Sequence, residues 1–218
     1  MKNLIRDYRS KYRLLRSNNF DVNIPLFLLK SAYYHLFSKS IFAHHNTTIL
    51  GIRNIDTYGR LLVGTPEIAF LNKHDRTFLN IRGKLVIQGN VRVGKGCRFD
   101  VSKGAVCTLN ECYISGQTNL IVCHSLDIGK GSIIGWGCEL LDDNFHTIEY
   151  AGKANRDPAI VIGDHVWIAS HVTILAGVHI GENSVIAANS VVTRSFEEKN
   201  VLIAGHPAQI IRRGIEWH

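Results

Sequence analysis

The sequence predicts an all-β chain, a left-handed parallel β-helix of six-residue repeats behind a short α-helical N-terminal segment. Three observations carry this: a hexad pattern from residue 81 to residue 196, nineteen glycines against four prolines, and a change of texture near Thr48. In the C-terminal part Ile162, Ile168, Ile174, Ile180, Ile186 and Val192 stand six apart, followed by Gly163, Ala169, Leu175, Gly181, Ala187 and Thr193. Four positions after each of the first five anchors comes a second small or β-branched residue: Val166, Val172, Val178, Ser184 and Ser190. A six-residue period fits neither the 3.6 of a helix nor the alternation of a strand. It fits a triangular prism in which each hexad builds one flat strand and one corner. Three hexads then close a coil and residues 18 apart stack. One coil cannot bury its own interior, so the stack behaves as one cooperative unit.

The same step runs through Ile81, Ile87, Val93, Phe99 and Ala105, and again through Val122, Ile128, Ile134 and Leu140. The phase slips by about two residues near 106 to 121, which predicts an expanded turn there. From Leu141 to Ala159 no anchor survives, and the register resumes at Ile160 to Ile162. That interval reads as an inserted loop, where binding residues are often carried by a rigid scaffold. An antiparallel meander would call for Asn-Gly or Asp-Gly hairpin turns, and the chain has none.

Ahead of the repeat, residues 1 to 16 read as a basic helix and Ser17-Asn18-Asn19 as a break. A second helix is predicted from Pro25 to Phe42, its apolar spacing given by Leu28, Leu29, Ala32, Tyr33 and Leu36, packed on the body or at an interface. The expected organisation is a helical segment over 1–47, the β-helix over 48–213 with its loop at 141–159, and a tail at 214–218. Residues 1 to 50 hold eight Lys/Arg and two Asp/Glu, leaving only +1 of the net +7 for the rest. Lys2, Arg6, Arg9, Lys11, Arg13 and Arg16 make a head suited to phosphate, a peripheral membrane contact or an anionic polymer, or simply a solvated helix face.

Five cysteines without C-x-x-C spacing suggest free thiols in a reducing cytoplasm rather than a disulfide framework or zinc site. No apolar run reaches the roughly 18 to 20 residues of a membrane helix. The expected location is therefore the cytoplasm, with any membrane-peripheral contact left to the basic head, and nothing points to nucleic acid.

Two segments carry a family resemblance. Ile133 to His146, ending Asp142-Asp143-Asn144-Phe145-His146, is similar to a D-x-D-x-H segment, and Val166-Trp167-Ile168-Ala169-Ser170-His171-Val172 resembles the V-W-I-G-S-H-V stretch of galactoside and maltose acetyltransferases. With residues 81 to 213 around them, the chain resembles the hexapeptide-repeat acyltransferases, which use acetyl-coenzyme A and work as homotrimers. The resemblance implies an acetyl-CoA-dependent O-acetyltransferase acting on a saccharide hydroxyl of a bacterial surface polysaccharide or its precursor.

It also implies roles. His146 matches the general base, a task suited to histidine because an unperturbed pKa of about 6.5 leaves it able to accept a proton near neutrality. Asp142 is the candidate to orient it, with Asp143 competing, because Asn144 replaces the second Asp of the family pattern. Ala169 or Ser170 would offer a backbone N–H to the oxyanion. Trp167 matches a wall of the pantetheine channel, and Ala188, Thr193 and Arg194 match coenzyme-A contacts. The closing Ala204-Gly205-His206-Pro207-Ala208-Gln209-Ile210-Ile211-Arg212 keeps its last basic residue in Arg212 and loses the first at Gln209. Asn119 and His124 are candidates for the acceptor pocket. Three rivals stand beside this: a metal enzyme using His124, His146, His165, His171 or His179, disfavoured because hexads six apart lie on different prism faces; a silent β-helix scaffold; and a sugar N-acetyltransferase. No metal is expected.

Overall fold

The computed structural model describes residues 23–65, 71–72, 74–146 and 157–218. Short parallel strands are stacked on three faces of a prism, a left-handed β-helix. The first face contains Val106–Asn110, Ser125–Ile128, Ile160–Ile162 and His179–Ile180. The second contains Ile41–Ala43, Tyr113–Ile114, Ile133–Ile134, Trp167–Ile168, Val185–Ile186 and Val201–Gly205. The third contains Thr47–Leu50, Thr77–Ile81, Arg98–Val101, Asn119–Val122, Glu139–Leu141, Thr173–Ile174 and Val191–Val192. Two long strands, Ile55–Thr65 and Lys84–Gly94, each run from the first face into the second. They bend together at Gly59 and Gly89, where Gly89 has φ +65° and a Cβ on Gly59 would strike the Gly89 carbonyl.

Inward side chains form three columns. On the third face Leu79, Phe99, Leu120, Leu140, Ile174 and Val192 stack, each buried. On the first face Ile87, Leu109, Ile128, Ile162 and Ile180 do the same. The expected 18-residue stacking holds for Ile162 under Ile180, Ile168 under Ile186 and Ile174 under Val192. Earlier coils are larger, and the cause is a single edge.

From a third-face anchor to the next first-face anchor the chain takes eight residues (Leu79 to Ile87), ten (Phe99 to Leu109), eight (Leu120 to Ile128) and twenty-two (Leu140 to Ile162), and only then six (Ile174 to Ile180). The other two edges keep five or six throughout this stretch. The slip expected near 106 to 121 is thus centred earlier, on the ten-residue passage after Phe99; Leu120 continues the column of Leu79 and Phe99, while Val122, also buried, stacks on Val101. The long loop enlarges an edge that is already wide in the coils below it.

The corners explain several polar residues. His165, His171, Asn183 and Asn189 all have φ between +52° and +59°. This left-handed conformation is tolerated best by Gly and Asn. His165 and His171 thus serve corners on different edges of the prism.

Helix α1 spans Ile24–Leu36, capped by Asn23, whose side chain accepts from the Leu26 N–H at 3.1 Å, with Pro25 in the first turn. It ends six residues before the predicted Phe42, and the first coil already begins at Ile41, paired with Leu61. The face it buries is also different from the one expected. Phe27, Ser31 and Tyr34 pack inward, Phe27 against Phe42 and Leu62, while Leu28, Leu29, Ala32, Tyr33 and Leu36 point outward. The aromatic ring fills the site between Phe42 and Leu62, and this fixes the helix rotation. The antiparallel pair Val201–Gly205 and Ala208–Arg213 closes the C-terminal end of the second-face ladder, and α1 packs through Phe27 on Phe42 and Leu62 beside the first coil. The basic helix predicted over 1–16 lies outside the described residues.

Cys97, Cys107, Cys112 and Cys138 are free and buried among the columns, whereas Cys123 is partly exposed. Burial pushes the Cys97 and Cys112 thiols up to about 12 and Cys138 to about 11, and raises Cys107 further. Since the thiolate is the reactive form, a disulfide-exchange reagent at pH 8 should modify Cys123 alone in native protein and all five cysteines after denaturation. Rapid native reaction of four or five thiols would contradict this packing.

Candidate active site

His146 is exposed and stands at the wide edge, after the third-face strand Glu139–Leu141. The stem of its loop is pinned to the coil below. Asp142 is fully buried, its Oδ1 accepting the Cys123 N–H at 2.6 Å and its Oδ2 the His124 N–H at 2.9 Å. These two amides come from a widened corner where the backbone has left the ladder, and the carboxylate satisfies both. Asp143 accepts the Phe145 N–H through Oδ1 and lies 2.8 Å from His124 Nε2 through Oδ2. The Phe145 amide, and then His124, hold its carboxyl below the ordinary carboxylate range. Phe145 takes φ +57°, and the His146 N–H donates to the Asn144 carbonyl at 2.7 Å, which completes a tight turn.

For Asp142, expected to orient His146, the structure shows other partners. No hydrogen bond joins it to His146 among the described residues, because both its oxygens are engaged with the preceding coil. Its connection to the histidine is the backbone of the stem, residues 142 to 146. The pairing of Asp143 with His124 was not foreseen: the two residues are 19 apart in sequence and meet only because the coils stack.

The other predicted residues fall on different parts of the prism. Trp167 is 41% exposed on the second face, leading into Ala169 and Ser170 at the corner between the second and third faces, with Ala188 on the same edge one coil above. The Ala169 N–H donates to the Ile186 carbonyl at 2.9 Å and is used by the ladder. The Ser170 N–H has no acceptor among the described residues. Of the two amides expected as oxyanion donors, only that of Ser170 is available.

Thr193 and Arg194 lie on the edge that carries His146. Arg194 rests its guanidinium 5.2 Å from the Phe196 ring centroid, beside a cleft of 470 Å³ lined also by Glu198, Gln209, Ile210 and Arg213. Arg213 lines that cleft and pairs with Glu198 at 2.9 Å, whereas Arg212 lies on the same strand outside the lining. Trp217 is a further residue not anticipated. Its ring stacks on His165 at 4.0 Å, its Nε1–H donates to the His165 carbonyl at 3.0 Å, and it tilts toward Trp167 at 6.1 Å. One chain therefore presents two candidate half-sites, on opposite edges of the third face. One holds His146, Thr193 and Arg194, and the other Trp167, Ser170 and Ala188. Between the edges lies the third-face strand Glu139–Leu141, and the chain from Cys138 to Asp142 spans roughly 13 Å at about 3.3 Å per residue.

Replacing Asp142 by alanine leaves two part-buried amides without their acceptor and should lower unfolding free energy by about 2–3 kcal/mol. Chemical denaturation measures this, and a loss under about 0.5 kcal/mol would remove the stem from the account.

Comparison with known proteins agrees with this architecture. Residues 159–194 match the family model described as bacterial transferase hexapeptide (six repeats). A 24.8 kDa protein of the cps region of Klebsiella pneumoniae is 36% identical over 84% of this chain and 83% of its own length. WbbJ of Escherichia coli, named for O-acetyl transfer in lipopolysaccharide biosynthesis, is 30% identical over 60% of this chain and 72% of its own. The galactoside O-acetyltransferase of Escherichia coli is 55% identical over 31% of this chain and 32% of its own. Among solved structures, a point mutant of AntD, an N-acyltransferase from Bacillus cereus, superposes with a TM-score of 0.53 at 17% identity, covering 80% of this chain and 81% of that one, a likeness of fold. With the repeat, the coil geometry and these relatives together, the chain belongs to the hexapeptide-repeat family and is an acyltransferase.

Proposed function

We propose that the protein transfers an acetyl group from acetyl-CoA to a hydroxyl of a saccharide, in a bacterial surface polysaccharide or its precursor. The observation that carries this reading is the placement of His146: an imidazole with no hydrogen-bond partner among the described residues, exposed on a stem that two carboxylates fix to the rigid coil. Transfer to oxygen rather than nitrogen is supported by the names of WbbJ and the galactoside enzyme.

His146 accepts the hydroxyl proton as the sugar oxygen attacks the thioester carbonyl. Ser170 donates its N–H to the oxygen on which negative charge develops, a contribution of roughly 3–4 kcal/mol for such a preorganised donor. As the carbon–sulfur bond breaks, the imidazolium returns its proton to the departing thiolate. The products are an acetyl ester and a free thiol, with no acyl-enzyme. Asp142 is the positioning residue for His146. Trp167 walls the pantetheine arm beside Ala188, and the cations Arg194 and Arg212, with Arg213 added by its place in the cleft, suit the phosphates.

Because the two half-sites occupy different edges, a complete site needs a second copy. Repeated contact of one edge with the other is heterologous and makes a ring where the rotation closes; with the family resemblance supplying the number three, the proposed assembly is a homotrimer in the cytoplasm. The outward Leu29, Tyr33 and Leu36 of α1, with the basic residues that precede them in sequence, suit a peripheral membrane contact for an enzyme acting on lipid-linked or surface saccharide.

His146→Ala should lower turnover by several orders of magnitude while coenzyme-A binding stays nearly intact, checked by thiol release and calorimetry; unchanged turnover would sink the assignment. Co-expression of His146→Ala with Ala188→Trp, which obstructs the other half-site, should restore up to about one quarter of wild-type activity in mixed trimers. Verified mixed assemblies that remain inactive would show that the halves do not combine across copies.

A further inference from the structure

The outer surface of the third face carries a groove that the proposed chemistry does not use. It is a cleft of 330 Å³ formed by Phe78, Asn80, Arg98, Asp100, Asn119 and Ile121, within the range of ligand pockets. These residues come from three successive coils in register: Phe78 below Arg98 below Asn119, and Asn80 below Asp100 below Ile121. The next strand above is Glu139–Leu141, which leads into the His146 turn. The groove therefore begins one coil below the coil that bears the candidate base and itself spans two inter-coil steps, roughly 10 Å.

Its chemistry is selective. Phe78 is 38% exposed and offers an apolar ring face. Asn119 Oδ1 is buried with no hydrogen-bond partner, an acceptor that a ligand hydroxyl would satisfy. The Asp100 carboxylate is already engaged by Arg82 at 3.1 Å and Asn80 at 3.0 Å. The guanidinium of exposed Arg98 has no carboxylate or carbonyl partner among the described residues. An aromatic face, an unsatisfied amide oxygen and an unpaired fork of N–H donors together match the apolar ring face, the hydroxyls and the carboxylate of an acidic sugar.

We propose that this groove is an acceptor subsite for the saccharide unit next to the one acetylated, and that it takes an acidic sugar whose carboxylate pairs with Arg98. The inference rests on the acetyl-transfer reading for its purpose, though not for its binding chemistry. The test uses full-length protein carrying His146→Ala, which holds acceptor without turnover. Calorimetric titration compares a glucuronate-containing disaccharide with its carboxyl-reduced counterpart. The acidic form should bind about tenfold more tightly. Arg98→Gln should remove that preference, and Phe78→Ala should weaken both ligands; both residues face outward, and circular dichroism verifies the fold. Equal binding of the two ligands, no binding of either, or indifference to both substitutions would overturn the subsite. A thiol-release assay with otherwise wild-type protein separates the two ideas. If no saccharide supports release while Arg98-dependent binding persists, the transfer reading fails and the subsite stands. If transfer proceeds unaltered in Arg98→Gln and Phe78→Ala, the subsite fails and the transfer reading stands.

Discussion

Each inward side chain in this protein is buried by the coil above it and the coil below. Leu140 rests between Leu120 and Ile174 and is fully covered, although its own strand, Glu139–Leu141, is only three residues long. A strand of that length has no independent stability, and the parallel ladder with its aliphatic columns supplies what the local sequence cannot. The consequence is a strict division of freedom. Strand positions must keep register, because a shift of one residue would turn every inward side chain outward. Corners need only return the chain to the next face.

That freedom has been used unevenly. Two edges keep five or six residues between anchors from Ile87 to Ile174, whereas the third to first edge widens to eight, ten, eight and then twenty-two. Widening releases backbone amides from the ladder, and Asp142 meets the two at Cys123 and His124 with a buried carboxylate. The device that repairs the fold at this corner also fixes the stem that carries His146. Scaffold and candidate site share one interaction, in which a charged acceptor is held by two donors where water has little access.

The amide of Ser170 follows from the same rules on another edge. At a corner the chain leaves the strand, and the N–H of Ala169 is the last to bond upward, to Ile186. The next amide, that of Ser170, has no acceptor among the described residues. In the proposed reaction, placing this donor and His146 on different edges makes the working enzyme a matter of assembly, since the span of one prism face separates them.

Much of this was legible in the chain itself. The anchors Ile162 to Val192 fixed the period, the loss of anchors after Leu140 located the loop, and the Val166 to Val172 segment marked the corner, since these signals repeat locally along the sequence. The rotation of α1 was not legible, because its outward stripe of Leu29, Tyr33 and Leu36 has the periodicity of a buried one. Only the fit of Phe27 between Phe42 and Leu62 decides which face turns in. The partners of Asp142 were likewise hidden: the family pattern suggested an orienting contact with His146, yet its hydrogen bonds run to residues 18 and 19 positions back. The groove from Phe78 to Asn119 is assembled from residues about twenty apart. The sequence determined the repeat and where it stops, because each hexad writes its own strand and corner. Tertiary structure alone decided which polar groups meet, because in a stacked coil the neighbours that matter are one full turn away.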